Sequence, residues 1–139
     1  MKVLIDTNVL LDVFLERKPF FEASAQTVGL AEKAEIEGWI CGTTVTTIFY
    51  LLTKNLSREK AVQHVTGILK IFNVSTINRL VLEDALESNF KDYEDGVLYQ
   101  SAIHANLEAI ITRNQKDFKQ SDIPVYSPAL FLKALDILK

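Results

Sequence analysis

The chain offers almost no thiol chemistry: Cys41 is its single cysteine, which excludes an internal disulfide and a thiolate metal cluster. A small buried apolar residue in a strand is the reading Cys41 invites, and a reducing compartment, the cytoplasm, is the expected location. Long apolar runs are missing as well. The longest hydrophobic runs are cut by Thr, Lys or Asp before the roughly 18 residues a membrane span needs. At the N-terminus, Val3-Leu4-Ile5 meets Asp6 too early for an export signal's apolar region, so neither export nor a membrane partner is expected. Nor is there an excess of positive charge. Fifteen Lys and Arg stand against 18 Asp and Glu, a net charge of -3, which argues against gripping nucleic acid through a broad basic surface. A site that holds phosphate through divalent cations stays open, because such a site needs local negative charge. No Gly-rich phosphate loop is present, which counts against a nucleotide-binding ATPase or dehydrogenase. Neither His64 nor His104 has a partner at ligand spacing, so both read as ordinary helix residues. With no internal repeat, low-complexity segment or Gly/Ser linker, the 139 residues, 48% hydrophobic and 24% charged, read as one globular domain, 1–139.

What is present is an alternation of short apolar runs with helical periodicity. Val3-Leu4-Ile5 is predicted as a buried strand feeding a helix that carries Val9, Leu10, Val13 and Phe14, with Pro19 stopping it. A second helical pattern covers Phe20 to Ile36 and ends at Gly38, and Trp39-Ile40-Cys41 is the second strand. Thr46 to Lys54 places Ile48, Leu51 and Leu52 on one helical face, and Ser57 caps a helix with Ala61, Val65, Ile68 and Leu69. Phe72 to Ile77 is a third strand by its β-branched content, and Val81 to Leu86 opens another helix. Tyr93 to Asn106 is helical, Ala109 to Thr112 is a fourth strand, and Val125-Tyr126 is a short fifth before a helix begun by Ser127-Pro128. Short strands separated by helices imply the α/β class: a three-layer α/β/α arrangement around a mainly parallel sheet of four to five short strands.

In such sheets the working groups lie beyond the carboxyl ends of the strands. That rule selects Asp6 after the first strand, Asn114 and Asp117 after the fourth, and Asp95 in the opening turn of the helix before it. Carboxylates brought together repel and raise one another's pKa, a cost that a bound cation offsets. Hard oxygen ligands suit magnesium or manganese and not zinc, and such ions activate water for in-line phosphoryl displacement. Each residue also has a purely structural reading. Asp6 caps the first helix; Asp92-x-x-Asp95 forms a loose capping box, with Glu94 and Asp95 favoured by the helix dipole; Asn114 and Asp117 shape a turn. Their joint placement at one edge is what points to chemistry. Arg113 and Lys116 flank that edge, as phosphate contacts or as solvated surface.

Met1 to Asp12, MKVLIDTNVLLD, resembles the opening motif of PIN domains, and Asp92 to Phe118, DYEDGVLYQSAIHANLEAIITRNQKDF, resembles their C-terminal motif block. The resemblance runs through nearly the whole chain in order and spacing. It implies that Asp6, Asp95 and Asp117 are the catalytic, metal-binding acids, and that Asn8, Thr112 and Asn114 are polar supports orienting ligands or water. It further implies an endoribonuclease dependent on Mg2+ or Mn2+, a homodimer and, as in the VapC toxins that many small PIN domains resemble, a cognate antitoxin. One position departs. Where the family commonly carries a glutamate in the helix after the second strand, TTVTTIFYLL aligns Thr47, which is expected to line the pocket without bringing charge. Glu94 is a substitute source of charge, but its place beside Asp95 on a helix is expected to point it elsewhere. Two rivals follow: a PIN-like module that binds RNA or protein without cutting, and a phosphatase of the haloacid dehalogenase type. The latter needs a second acid two positions after Asp6, where Asn8 stands.

Overall fold

An uninterrupted apolar run has to bury both of its faces, and Val3-Leu4-Ile5 of β1 (Lys2–Ile5) does so, with only Lys2 exposed. Val3 and Ile5 enter one core and Leu4 the other, because successive side chains leave a strand on opposite sides. The computed structural model describes residues 1–138; Lys139, the last residue of the expected domain, lies outside the described residues. After β1 come α1 (Thr7–Phe14), α2 (Phe21–Glu32), β2 (Glu37–Cys41), α3 (Gly42–Asn55), α4 (Arg58–Ile71) and β3 (Asn73–Ser75). The second half supplies α5 (Arg79–Glu87), α6 (Tyr93–His104), β4 (Ala109–Ile111), a 3-10 turn (Gln115–Phe118), β5 (Val125–Tyr126) and α7 (Pro128–Leu138). The five strands pair in parallel in the order β3-β2-β1-β4-β5. The larger core packs Val3, Ile5, Ile40 and Ile111 against α1 to α4 and Phe131 of α7. The opposite core packs Leu4, Cys41 and Ile110 against Leu98, Tyr99 and Ala102 of α6 and against Phe118. This is the α/β class and the layered parallel sheet that the alternation implied. Among the described residues, no helix is long and apolar enough to cross a membrane.

Several boundaries fall elsewhere than the local pattern suggests. α2 ends at Glu32 with a left-handed residue at Ala34, φ 59°. Gly38 lies within β2, where a Cβ would come within 2.7 Å of the Phe72 ring and 2.9 Å of the Ala31 Cβ; the glycine serves close packing, not helix termination. α3 begins at Gly42, directly after β2, and not at Thr46, because a threonine-rich first turn carries too little apolar periodicity to announce a helix. Phe72 caps α4 and turns into the larger core, which shortens β3. Asn106, at φ 59°, stops α6 at His104. The side chain of Asn78 accepts from the Val81 N–H and starts α5 two residues early.

Strand order positions the site. The chain builds outward from β1 to β2 and β3, then returns to lay β4 on the other side of β1. The crevice beyond the carboxyl ends of β1 and β4 is therefore the switch point where such sheets host ligands. The register pairs Ile5 with Ile111, so the residues that follow, Asp6 and Thr112, leave the sheet side by side.

Candidate active site

Asp6 does two jobs. Its Oδ1 accepts from the Thr7 N–H at 2.7 Å, capping α1, while Oδ2 accepts from Thr112 Oγ1 at 2.8 Å and from Asn8 Nδ2 at 3.4 Å. Asn8 also donates to Thr112 Oγ1 at 3.3 Å and accepts from the Arg113 N–H at 3.2 Å, and the Asn114 N–H donates to Thr112 Oγ1 at 3.1 Å. Asn8, Thr112 and Asn114 thus form one network that pins a carboxylate only 7% exposed. The Asp6 pKa is nonetheless raised: burial outweighs the bonds from Thr112 and Thr7 that favour the charged form, and Glu94 and Asp117 add repulsion.

Asp95 arrives from the first turn of α6. Asp92 caps that helix, its Oδ1 accepting from the Glu94 N–H at 2.8 Å and the Asp95 N–H at 3.4 Å, so the capping role falls to Asp92 and leaves Asp95 free to face the crevice. The Asp95 carboxyl is pushed up to about 7, first by burial, then by Asp6, Asp92, Asp117 and Glu94. Asp117 sits in the 3-10 turn, anchored by its neighbour Phe118, which packs edge-on to Phe90 in the smaller core.

Two hollows result, with Asp95 in the wall of both. Asp6, Asn8, Glu94, Asp95 and Asn114 line a cleft of about 220 Å³. Asp95, Asp92 and Asp117 line a cavity of about 610 Å³ whose rim carries Lys91, Lys116 and Lys119. Asp6 and Asp95 therefore share one hollow and Asp95 and Asp117 the other. Among the described residues, no three His, Cys, Asp or Glu side chains are grouped closely enough to hold one ion between them.

Glu94 does not point elsewhere: it lines the cleft beside Asp95, since a helix's first turn lying against the crevice can present two successive residues to it. Thr47 is not among the cleft's lining residues; its hydroxyl stands 3.5 Å from Glu94 Oε1, one step behind the acids. Thr43 lines the cleft instead, and the Thr44 hydroxyl bonds Thr7 at 2.9 Å, fixing α3 to the start of α1. Local reading missed both because it began α3 too late. Arg113 is not a free cation at the edge. Its Nε and Nη2 donate to the fully buried Asp12 carboxylate at 2.8 and 3.0 Å, and its guanidinium lies 4.2 Å from the Phe20 ring centroid. A charge inside an apolar helix face such as that of Asp12 needs a partner, and that need was the available signal.

A family model described as a PIN domain matches residues 2–116 of the chain. The chain belongs to the PIN domain family. Asp6 and Asp95 fall inside the matched residues and Asp117 stands one residue beyond them. This PIN domain is similar to Ribonuclease VapC1 of Aquifex aeolicus (strain VF5), 28% identical over 142 residues that span 99% of this chain and 97% of the relative. A toxin-antitoxin complex from Klebsiella pneumoniae contains a chain of like structure, with TM-score 0.67 and 28% identity over 91% of this chain and 97% of that one. DNA-bound VapBC from Salmonella typhimurium aligns at TM-score 0.70 over 92% of this chain and 98% of the other; at 18% identity that likeness speaks to the fold.

Proposed function

We propose that this PIN domain is an endoribonuclease that hydrolyses RNA phosphodiester bonds with a divalent metal, Mg2+ or Mn2+, and is restrained by an antitoxin partner. The observation that carries the reading is the gathering of Asp6, Glu94, Asp95 and Asp117 at the switch point, where burial first and the neighbouring carboxylates second push Asp95 up to about 7. Unrelieved repulsion of that kind costs stability, and a cation removes it. The donors present fit a hard, hydrated ion: all are oxygens, and magnesium commonly keeps several waters while taking only one or two carboxylates. Asp6 and Asp95, which share the cleft, would hold it, with Asp117 and Glu94 acting through water. When bound, such an ion supplies positive charge to the phosphoryl group under attack and favours deprotonation of the attacking water. Thr112 and Asn8 hold Asp6 in place by hydrogen bonds to its Oδ2, while Lys91, Lys116 and Lys119 draw the RNA backbone to the rim.

The named relatives support the ribonuclease and antitoxin parts of this reading. It treats residues 1–139 as one working unit in the cytoplasm, a homodimer in which each site is complete in itself. A second reading, a PIN module that binds RNA or protein without cutting, is favoured by the absence of three grouped ligands among the described residues. Cleavage of mixed single-stranded RNA, measured against Mg2+ or Mn2+ and repeated with Asp6→Asn, separates the two. Metal-dependent cleavage lost in the variant supports the nuclease; RNA binding with no cleavage at any metal concentration supports the module.

A further inference from the structure

On the other flank of α1 from the acidic cleft, a cavity of about 250 Å³ opens between α1, the start of α2 and the start of α7. Its walls are mainly apolar, from Pro19, Phe20, Pro128 and Ala129, with the paired Asp12 and Arg113, Ser24 and Ser127 supplying polarity. Among the described residues, the Ser24 hydroxyl is the one buried side-chain polar atom with no hydrogen-bond partner. We propose that this cavity is a nucleobase subsite, receiving one base of the single-stranded RNA whose backbone lies across the acids. The inference rests on the ribonuclease reading.

Arg113 connects the two sites. Its backbone N–H holds Asn8, which in turn holds Asp6, while its guanidinium crosses to Asp12, one helical turn after Asn8. A base held in the cavity would leave its backbone to run past Arg113 toward the cleft. A phosphate does not suit the cavity, since apolar walls would strip its hydration and the Arg113 charge is already matched by Asp12. A purely apolar side chain from a protein partner would leave the Ser24 hydroxyl unpaired in an enclosed space. A base meets both demands. Its flat ring suits the stack that the guanidinium makes over the Phe20 ring, and its edge carries acceptors and donors for Ser24 and for Arg113 Nη1, which the Asp12 pair does not engage.

The test uses a sequence-randomised single-stranded RNA, cleaved with Mg2+ or Mn2+ and sequenced at the new ends. Ala129, an exposed wall residue, is changed to Trp to fill the cavity, and Ser24→Ala removes the unpaired hydroxyl. The wild type is expected to favour one base at a fixed offset from the cut. Ala129→Trp should erase that preference and raise KM about tenfold, with a smaller effect on kcat. Ser24→Ala should redistribute the preference while its Tm stays level or rises, because no hydrogen bond is lost in the free protein. The same pool, bound without metal and recovered for sequencing, reads the subsite independently of cleavage. A base preference erased by Ala129→Trp supports the subsite even if nothing is cut, which would sink only the nuclease reading. The proposal is overturned if the wild type selects no base, if both variants keep the wild-type preference and KM, or if Ala129→Trp weakens only binding of a protein partner.

Discussion

Asp95→Asn removes one charge from the crowded site while keeping the side chain's size, so its effects report the electrostatics directly. In the folded protein the Asp95 carboxyl is raised from 3.8 to about 7 by burial and by four neighbouring carboxylates. A folded-state pKa above the unfolded one means a stability contribution that is complete below the unfolded value and lost as pH rises through the folded value. At neutral pH and above, the metal-free protein therefore carries an unfavourable carboxylate. A shift of about three units at about 1.36 kcal/mol each sets a ceiling of about 4 kcal/mol; Asp95 is partly exposed, and solvent screening reduces this to roughly 1–2 kcal/mol. For a chain of this size 1 kcal/mol moves Tm by roughly 3–5 °C. Asp95→Asn should accordingly raise the Tm of the metal-free protein by about 5 °C near pH 8 and leave it almost unchanged near pH 4. Differential scanning calorimetry in chelator across that pH range reads the effect, and a subsequent Mg2+ or Mn2+ titration should stabilise the wild type more than the variant. A lower Tm for the variant near pH 8, or an equal gain at both pH values, would refute the charge-crowding argument. A wild-type Tm indifferent to metal would refute the metal site.

Three further outcomes test other parts of the structure. Arg113→Met leaves the fully buried Asp12 carboxylate with only Arg17 at 3.7 Å and should cost about 3–5 kcal/mol in urea unfolding, whereas a loss below about 1 kcal/mol would assign the pair to surface electrostatics. Thr47→Glu places a second carboxylate beside Glu94; it should lower the metal concentration needed for half-maximal RNA cleavage and reduce Tm in chelator, and an unchanged metal requirement would place Thr47 outside the ligand sphere. Lys116→Glu with Lys119→Glu should flatten the dependence of log K on log salt for single-stranded RNA by about 0.7 per lysine, read by fluorescence anisotropy, and an unaltered slope would remove the rim from the RNA path.

The parts of this molecule that local sequence could announce are those whose causes are local. The Val3-Leu4-Ile5 run, the Ser57 cap and the Ser127-Pro128 start each depend on a few neighbouring residues, and element types followed from them. Boundaries slipped where a distant contact set them: Gly38 is explained by the Phe72 ring, and Phe72 itself by the core it enters. The same division runs through the candidate site. That polar residues would follow the apolar strands β1 and β4 was legible, because a strand buried on both faces leaves its carboxyl end as the first place where a charge meets water. Which of them meet was a matter of strand order and register. The bond from Thr112 to Asp6 spans 106 residues and exists because Ile5 pairs with Ile111. Glu94 faces the cleft, Thr47 stands behind it and Arg113 turns away to Asp12 for the same reason. Sequence alone determined the alternating elements and the acids that end them; only tertiary packing decided which acids crowd together and which cation is spent inside, since proximity between distant residues comes from the arrangement of elements and not from their local pattern.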